Sequence, residues 1–161
     1  MIRTALIISA LLATPAVAAT AKLSDASGKV VGSAKIVQTP HSLRLTVKVK
    51  GMEAGERGLH IHAIGLCEGP KFTTAGPHWN PTGNQHGRDN PMGSHAGDMP
   101  NLIVDARGRG SLSFDVHGWT MAGLMDADGA ALVIHAKPDD YKTDPTGASG
   151  DRMICGVFSA R

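Results

Sequence analysis

Histidines are the residues of this sequence with the clearest capacity for chemistry. Six of the eight histidines fall into three clusters. His60 and His62 form one cluster, and His135 stands alone as another. The middle cluster has the spacing H-x7-H-x8-H-x2-D and consists of His78, His86, His95 and Asp98. Imidazole nitrogens with one carboxylate are typical zinc ligands, and imidazole-rich sites also suit copper.

Each cluster also has a simpler interpretation. Two histidines one residue apart on a strand, such as His60 and His62, are commonly surface residues. Loop histidines such as His86 and His95 are commonly solvated. However, the segment from Gly65 to Pro100 is rich in Gly, Pro, Asn and His and shows no helical or strand period. Ordered loops of this length are uncommon, and a bound ion can supply the order. Together the clusters therefore favour metal binding.

Short strands are the elements that must position these side chains. In LRLTVKVKG, from residue 43, apolar residues alternate with polar ones, which predicts a strand with one buried face. In GLHIHAIG the same parity puts Leu59 and Ile61 on the core face and His60 and His62 on the other. We count roughly eight such strands, two long irregular segments (65–100 and 138–151) and no convincing helix. This pattern predicts an all-β antiparallel sandwich or barrel.

The first 19 residues have the composition of a secretory signal peptide. A single positive charge at Arg3 precedes an apolar run, which is followed by small residues. Cleavage after Ala18 or after Ala19 fits the pattern, and the mature domain would cover 20–161. The apolar run is too short to cross about 30 Å of hydrocarbon, so we expect no membrane segment in the mature form. This leader predicts an exported protein.

Cysteine content and charge further narrow the class of protein to which this chain can belong. An exported protein folds where disulfides persist, and Cys67 and Cys155 are the only cysteines, so they are candidates for one bridge; two free thiols are the alternative. Lys and Arg number 16 against 14 Asp and Glu, and they are scattered. Nucleic-acid binding requires clustered basic residues, so no nucleic-acid partner is predicted.

Six motifs together resemble the copper/zinc superoxide dismutase family. They occur in order over nearly the whole mature chain: GLHIH, AGPHWNP, QHG, HAGDMPNL, ALVIHAKPDD and GASGDRMICGV. Any one of them alone would be weakly specific, whereas the set is highly specific. The resemblance implies an eight-stranded antiparallel Greek-key β-barrel with two long functional loops. It also implies copper and zinc as cofactors and superoxide as the substrate. The leader and the segments GSHAGDMPNL and DDYKTDPTGASGD resemble those of bacterial members, which implies a periplasmic location.

The resemblance implies a role for each candidate ligand. The expected copper ligands are His60, His62, His78 and His135. The expected zinc ligands are His78, His86, His95 and Asp98. His78 would bridge the two metals as an imidazolate, with one ring nitrogen on each. Asp139 would accept hydrogen bonds from the rings of His60 and His86, since metal-bound histidines usually donate their other N–H group.

The same resemblance implies three further roles. Arg152 would sit beside the copper and hold the anionic substrate, and its guanidinium stays protonated at any working pH. The family disulfide would join Cys67 to Cys155. Electrons would pass from one superoxide to a second through copper, and two protons would release hydrogen peroxide.

A periplasmic protein that binds copper and zinc without turnover is the alternative function.

Some positions depart from the family pattern or fall outside it. The segment between Cys67 and His78 is short compared with many bacterial relatives, and this leaves open whether the protein is a monomer or a homodimer. It also leaves open which charges guide the substrate; the candidates are Lys71, Lys137 and Lys142. Two histidines, His41 and His117, match no ligand position and are predicted to be surface or structural residues.

Overall fold

Antiparallel pairing joins ten strands into one sheet in the computed structural model, which describes residues 17–160. The strands are β1 (Ala18–Asp25), β2 (Val30–Gln38), β3 (Ser42–Lys50), β4 (Gly55–Arg57), β5 (Leu59–His62), β6 (Leu102–Val104), β7 (Arg109–His117), β8 (Ala131–His135), β9 (Arg152–Val157) and β10 (Ser159–Ala160). One 3₁₀ helix covers Thr73–Ala75, and a single α-helical turn, α1, covers Met121–Leu124. Within the described residues no helix has the length and apolar character needed to span a membrane.

The strand order is that of a Greek key. The sheet runs β4-β6-β7-β3-β2-β1-β9-β8-β5, so β3 pairs with β7 rather than with the next strand along the chain. The two ends of this order, β4 and β5, are separated in the chain by Gly58 alone. The sheet therefore nearly closes on itself, which confirms the predicted Greek-key barrel with two long loops (63–101 and 136–151).

Alternation of apolar and polar residues explains the main strands. In β3 the side chains of Leu43, Leu45 and Val47 are fully buried, whereas those of Arg44 and Lys48 are exposed. This is the alternation that predicted the strand, because neighbouring side chains of a strand point to opposite faces. The apolar faces of β1, β2, β3, β5, β8 and β9 meet in one aliphatic core.

Four short or terminal elements were not predicted. Strand β1 begins at Ala18, inside the segment assigned to the signal peptide, and Ala19 is fully buried opposite Ile36. Residues 1–16 lie outside the described part of the chain, so the leader and its cleavage site stay predictions. Strands β4 and β10 have three and two residues, and α1 has four. Elements this short leave no periodic pattern.

The predicted directions of the side chains of β5 are confirmed, but the face that carries the histidines is not exposed to solvent. Leu59 and Ile61 point into the core, and His60 and His62 point to the opposite face. All four residues are buried. The long loop that follows β5 folds back over the histidine face, so the strand is covered on both sides.

Candidate metal centre

Main-chain hydrogen bonds fasten the long loop to the free edge of β5. Two isolated bridges pair His62 with His78 and His60 with Asp98. Within this pairing the N–H group of Trp79 donates to Ile61 O at 2.8 Å. The loop thus behaves locally as a neighbouring strand. As a result, ligand candidates 16 and 38 residues downstream lie beside the β5 histidines.

Four histidines bring unpartnered ring nitrogens to one buried point. The residues are His60, His62, His78 and His135, and the atoms that they offer lie within 4.8 Å of one another. In each ring one nitrogen is buried without a hydrogen-bond partner: Nδ1 of His60 and Nε2 of His62, His78 and His135. Buried polar atoms without partners are rare in native proteins because each one costs free energy. Their convergence is the expected arrangement for a cation; we call this set the four-histidine group.

Hydrogen bonds to the opposite nitrogen hold three of these rings in place. Nδ1 of His62 lies 2.8 Å from Gly76 O, and Nδ1 of His135 lies 3.1 Å from Gly150 O. Nε2 of His60 lies 2.7 Å from Asp139 Oδ2. Carbonyl and carboxylate oxygens only accept, so the ring N–H must donate in each case. The tautomer is thereby fixed, and the lone pair is on the nitrogen that faces the group.

A second set of ligand atoms surrounds Asp98. Its Oδ1 lies 3.1, 3.0 and 3.3 Å from Nδ1 of His78, His86 and His95. A tetrahedral site with ligands about 2.0–2.1 Å from zinc would separate its ligand atoms by about 3.3 Å. The other oxygen, Oδ2, accepts from the main-chain N–H groups of Gly87 and His95, each at 3.0 Å. We call these four residues the Asp98 group.

His60 also lies near the Asp98 group but does not belong to it. Its ring, together with His78, His86 and Asp98, offers atoms within 4.8 Å of one another. However, Nε2 of His60 is engaged by Asp139, and its Nδ1 belongs to the four-histidine group. His95 is the better fourth member, because its Nδ1 lies 3.4 Å from Nδ1 of His78 as well as near Asp98.

One imidazole is shared by the two groups. Nδ1 of His78 faces Asp98, whereas its Nε2 is one of the unpartnered atoms of the four-histidine group. The two ring nitrogens of an imidazole point in divergent directions, so a single ring can ligate two ions at once. His78 is the residue at which the two groups join.

Asp139 connects the groups a second time, from the opposite side. Its Oδ2 accepts from His60 and its Oδ1 lies 3.0 Å from Nε2 of His86. Asn101 holds Asp139 in turn, since Asn101 Oδ1 accepts from the Asp139 main-chain N–H at 2.8 Å and Asn101 Nδ2 donates to Asp139 O at 3.0 Å. The family resemblance implied the contacts of Asp139 with both rings but gave no signal for Asn101.

Gly147 is a second residue of the site that the sequence did not reveal. It lies in the loop between β8 and β9 with φ +64°, in the left-handed region that favours glycine. A Cβ atom at this position would overlap Asp139 Oδ1 and would lie 2.6 Å from Nε2 of His86. The loop can therefore pass this close to the Asp139–His86 pair only without a side chain.

Burial keeps the four-histidine group neutral. It lowers the pKa of His60 to about 3, that of His62 to about 2 and that of His135 to about 4. Burial also lowers the pKa of His78, even though the Asp98 carboxylate opposes this change. Neutral imidazole is the form that ligates metal ions, so these rings are ready to bind near neutral pH.

The carboxylates create the opposite situation around His86. Burial lowers the pKa of His86, but its hydrogen bonds to Asp139 and Asp98 outweigh burial and raise the pKa to about 9. Burial alone would raise the pKa of the Asp98 and Asp139 carboxyl groups. The hydrogen bonds that both accept from the surrounding histidines outweigh burial, so the pKa of each lies below its usual value and both stay ionised. Three imidazoles and an ionised carboxylate are a ligand set that suits a divalent cation, and binding of the cation would displace the proton of His86.

Arg152 fastens the start of β9 to the long loop. Its Nη1 donates to Phe72 O at 2.7 Å, and its Nη2 donates to Gly76 O at 2.8 Å. Gly76 O also receives the His62 ring, so the guanidinium lies beside the four-histidine group. Burial lowers the pKa of Arg152 from its usual value, yet a guanidinium stays charged. His78 and Arg152 line the same cavity of about 580 Å³.

The remaining candidate residues, and the tryptophan that follows His78, lie as follows. The disulfide between Cys67 and Cys155 is confirmed, with their Cα atoms 5.7 Å apart. Trp79 is buried and packs against Trp119, with ring centroids 5.1 Å apart. The other histidines and the lysines considered for substrate guidance are all exposed: His41, His117, Lys71, Lys137 and Lys142.

A Greek-key barrel with two adjoining histidine-rich sites defines a class of two-metal β-barrel proteins. The chain belongs to the copper/zinc superoxide dismutase family, because the family model described as copper/zinc superoxide dismutase (SODC) matches residues 30–158. Members of this family are oxidoreductases that act on superoxide, with copper and zinc as cofactors.

Individual relatives agree with this assignment. Superoxide dismutase [Cu-Zn] 2 of Aquifex aeolicus is 40% identical over 144 residues, which cover 86% of this chain and 84% of the relative. Superoxide dismutase [Cu-Zn] of Deinococcus radiodurans is 41% identical over 152 residues, which cover 87% and 83%. The crystal structure of a SOD-like protein from Bacillus subtilis superposes with a TM-score of 0.82 at 36% identity and covers 86% and 96% of the two chains.

Proposed function

We propose that this protein dismutates superoxide in the periplasm, at a copper ion held by the four-histidine group and joined through His78 to a zinc ion held by the Asp98 group. The observation that carries the proposal is the shared ring of His78. Its Nε2 is one of four unpartnered buried nitrogens, and its Nδ1 faces the Asp98 carboxylate. Such a ring is placed to ligate one ion on each side.

The residues present fit these two ions. Four neutral imidazoles suit copper, and three imidazoles with a carboxylate suit zinc. Copper, when bound, supplies the exchange of single electrons that oxidises one superoxide to O₂ and reduces the next, while zinc has no redox chemistry. The balanced reaction consumes two superoxide anions and two protons and yields O₂ and hydrogen peroxide.

The chain's own residues would bind the substrate and manage its proton. Arg152 presents a fixed positive charge in the cavity that His78 also lines, so it can hold an anion there. Nε2 of His78 would hold the proton whenever copper does not occupy it, because no polar group of the described chain does. Asp139 would keep the rings of His60 and His86 in place throughout.

Two observations support a periplasmic location. The first 19 residues match a secretory leader, and the disulfide between Cys67 and Cys155 belongs to an oxidising compartment. Fractionation of the native host, followed by N-terminal sequencing of the mature protein, tests this part. A periplasmic protein that starts within a few residues of Thr20 is expected, and a cytoplasmic protein with an intact N-terminus would refute it.

The catalytic proposal is tested on protein loaded with one copper and one zinc per chain. Pulse radiolysis should show second-order removal of superoxide. In protein with Co(II) in place of zinc, the Cu(II) electron paramagnetic resonance signal should be lost, because a bridging imidazolate couples the two spins. Full occupancy without turnover would instead favour a protein that binds copper and zinc without catalysis.

A further inference from the structure

Basic residues that are scattered along the chain meet on one outer face of the barrel. Strand pairing puts Lys22 of β1 beside Ser33 of β2, and Ser33 beside Lys48 of β3. Lys35 lies two residues beyond Ser33, on the same face of β2. We call the whole set the cationic face, and it consists of Thr20, Lys22, Ser33, Lys35, Val37, Arg44, Thr46, Lys48, Lys50, Arg109, Ser111, Ser113 and Asp115.

Carboxylates are almost absent from the cationic face. Of the 14 acidic residues in the chain, Asp115 alone belongs to the face, and Arg44 Nη2 binds Asp115 Oδ2 at 2.7 Å. Arg109 has a weaker partner at the edge of the face, since its Nε lies 3.9 Å from Asp105 Oδ2. The four lysines of the face are exposed and form no ion pair within residues 17–160. Their positive charges are therefore uncompensated.

The lysines are spread in two dimensions rather than along one line. Neighbouring strands are about 4.8 Å apart, and residues i and i+2 of a strand are about 6.8 Å apart. The Cα atom of Lys35 therefore lies about 8 Å from that of Lys22 and from that of Lys48. Serine and threonine occupy most positions between them, and these short side chains leave the long lysine stems free to reach outward. This arrangement suits a planar array of negative groups better than a single linear polymer.

A cavity of about 370 Å³ opens on the same face. Ser33, Lys48 and Lys50 line it, and no carboxylate does. One hydroxyl and two ammonium groups are donors that suit a phosphate group, because hydrogen bonds to an ionised acceptor are the stronger ones. The cationic face thus contains a place where one phosphate can be held by more than a single charge.

The candidate metal centre lies on the opposite wall of the barrel. Strands β2 and β3 are in the middle of the strand order, whereas β5, which carries His60 and His62, is at one end of it. In a sheet that nearly closes, the middle of the order lies across the core from the joined ends. Bound metal ions are also positive, so their charge would not reverse the sign of the cationic face.

We propose that the cationic face docks the protein on a membrane surface that contains anionic phospholipids. Each Lys or Arg near such a surface strengthens binding about fivefold. None of the large exposed apolar side chains of residues 17–160 belongs to the face, so the contact is electrostatic and does not insert into the bilayer. The metal centre would then face away from the membrane. The proposal is independent of turnover at that centre.

Sedimentation with lipid vesicles tests the docking directly. Protein loaded with copper and zinc is mixed with vesicles of phosphatidylcholine that either contain or lack phosphatidylglycerol. At about 20 mM salt we expect at least about 30-fold tighter binding to the anionic vesicles, and at about 0.5 M salt this preference should be lost. Equal binding to both kinds of vesicle would overturn the proposal, as would a preference that high salt does not reduce. Binding of dextran sulfate without binding of vesicles would also overturn it in favour of a linear polyanion.

The variant Lys35→Gln/Lys48→Gln tests the surface itself. It removes two of the four lysines, and we expect about 25-fold weaker binding to the anionic vesicles. The matched control is Lys137→Gln/Lys142→Gln, which removes the same charge from two exposed residues outside the face and should change binding less than about twofold. Equal weakening in both variants would show a general charge effect and overturn the proposal.

Footprinting of the unmodified protein with an amine-reactive reagent gives an independent readout. Anionic vesicles should protect the amines of Lys35 and Lys48 and leave those of Lys137 and Lys142 reactive. Protection of the second pair instead of the first would place the membrane contact on another surface and refute the proposal.

Discussion

Oδ2 of Asp139 lies 2.7 Å from Nε2 of His60, and neither atom is exposed to solvent. The other oxygen of the same carboxylate receives the ring of His86. A single side chain thus orients one ring of the four-histidine group and one ring of the Asp98 group. The geometry of both candidate metal sites depends on this one carboxylate.

Replacement of Asp139 should weaken both sites together. In Asp139→Asn the single amide oxygen cannot accept from both rings, and the amide N–H₂ group would face one ring N–H. We expect metal affinity to fall about 10- to 100-fold, the usual cost of losing a partner that orients a ligand. Chelator competition for copper and for zinc measures the change. The neighbouring Asp140→Asn, whose carboxylate caps a turn at Lys142 and Thr143, is the control. Unchanged affinity for both metals would contradict the role of Asp139.

The close approach at Gly147 predicts a second way to disturb the same pair. In Gly147→Ala the new Cβ would overlap the Asp139 carboxylate, so the loop must move and the Asp139–His86 contact is lost. Zinc affinity should fall at least about tenfold. Gly150→Ala is a matched control, because its φ of +75° is similar but its nearest neighbour, Lys137 Cγ, is 3.4 Å away. Equal loss in both variants would indicate backbone strain rather than contact.

Arg152 should matter for turnover more than for metal binding. Arg152→Ala removes the positive charge beside the four-histidine group, and we expect the rate constant for superoxide to fall about tenfold or more with both metals still bound. Arg152→Lys keeps the charge but cannot reach Phe72 O and Gly76 O together, so it separates charge from loop anchoring. Metal content by elemental analysis accompanies each rate. Loss of copper from the alanine variant would argue against the substrate-binding role.

The buried histidines predict acid lability of the metal-free protein. Because the pKa values of His60, His62 and His135 are lowered, these rings bind protons below about pH 6.5 in the unfolded chain but stay neutral in the folded chain. Stability should therefore fall as the pH drops from 6.5 towards 4, by at most about 1.4 kcal/mol per histidine per pH unit. The raised pKa of His86 acts in the opposite direction. Its stabilisation of the fold is complete below pH 6.5 and is lost only as the pH rises towards 9, so it does not change between pH 4 and pH 6.5.

Urea unfolding of the metal-free protein at pH 7, 6 and 5 measures this dependence. His135→Gln should reduce the slope of the unfolding free energy against pH, because one titrating group is removed. Substitution of the exposed His117 by Gln should leave the slope unchanged. Stability that is flat between pH 7 and 5 would show that the four rings are not buried as described.

The disulfide should contribute substantially to stability. Cys67 and Cys155 are 88 positions apart, and closing a loop of this size restricts the unfolded chain by about 4–5 kcal/mol in the chain-entropy model. Cys67→Ala/Cys155→Ala should lower the unfolding free energy by up to this amount in urea. The reducing agent dithiothreitol should have a comparable effect on the unmodified protein and none on the variant. A loss below about 1 kcal/mol would indicate that native contacts already restrain the loop.

Much of the architecture was predictable because it is encoded by local patterns. Alternation in the segments 30–38 and 43–50 predicted β2 and β3, since burial of one face of a strand requires period two. The single turn α1 and the short strands β4 and β10 are too short to show a period. Strand β1 was missed because it begins with Ala18 and Ala19, which also fit the end of a leader.

The sequence by itself determined which residue types are available for metal binding, in which order they occur and which face of β5 carries His60 and His62. Only the tertiary structure decided that the nitrogens of His62, His78 and His135 lie together, because loop pairing along β5 brings distant segments side by side. The roles of Asn101 and Gly147 also emerged only there. Such contacts join residues far apart in the chain, and no local period records which distant side chain or charge a folded loop will meet.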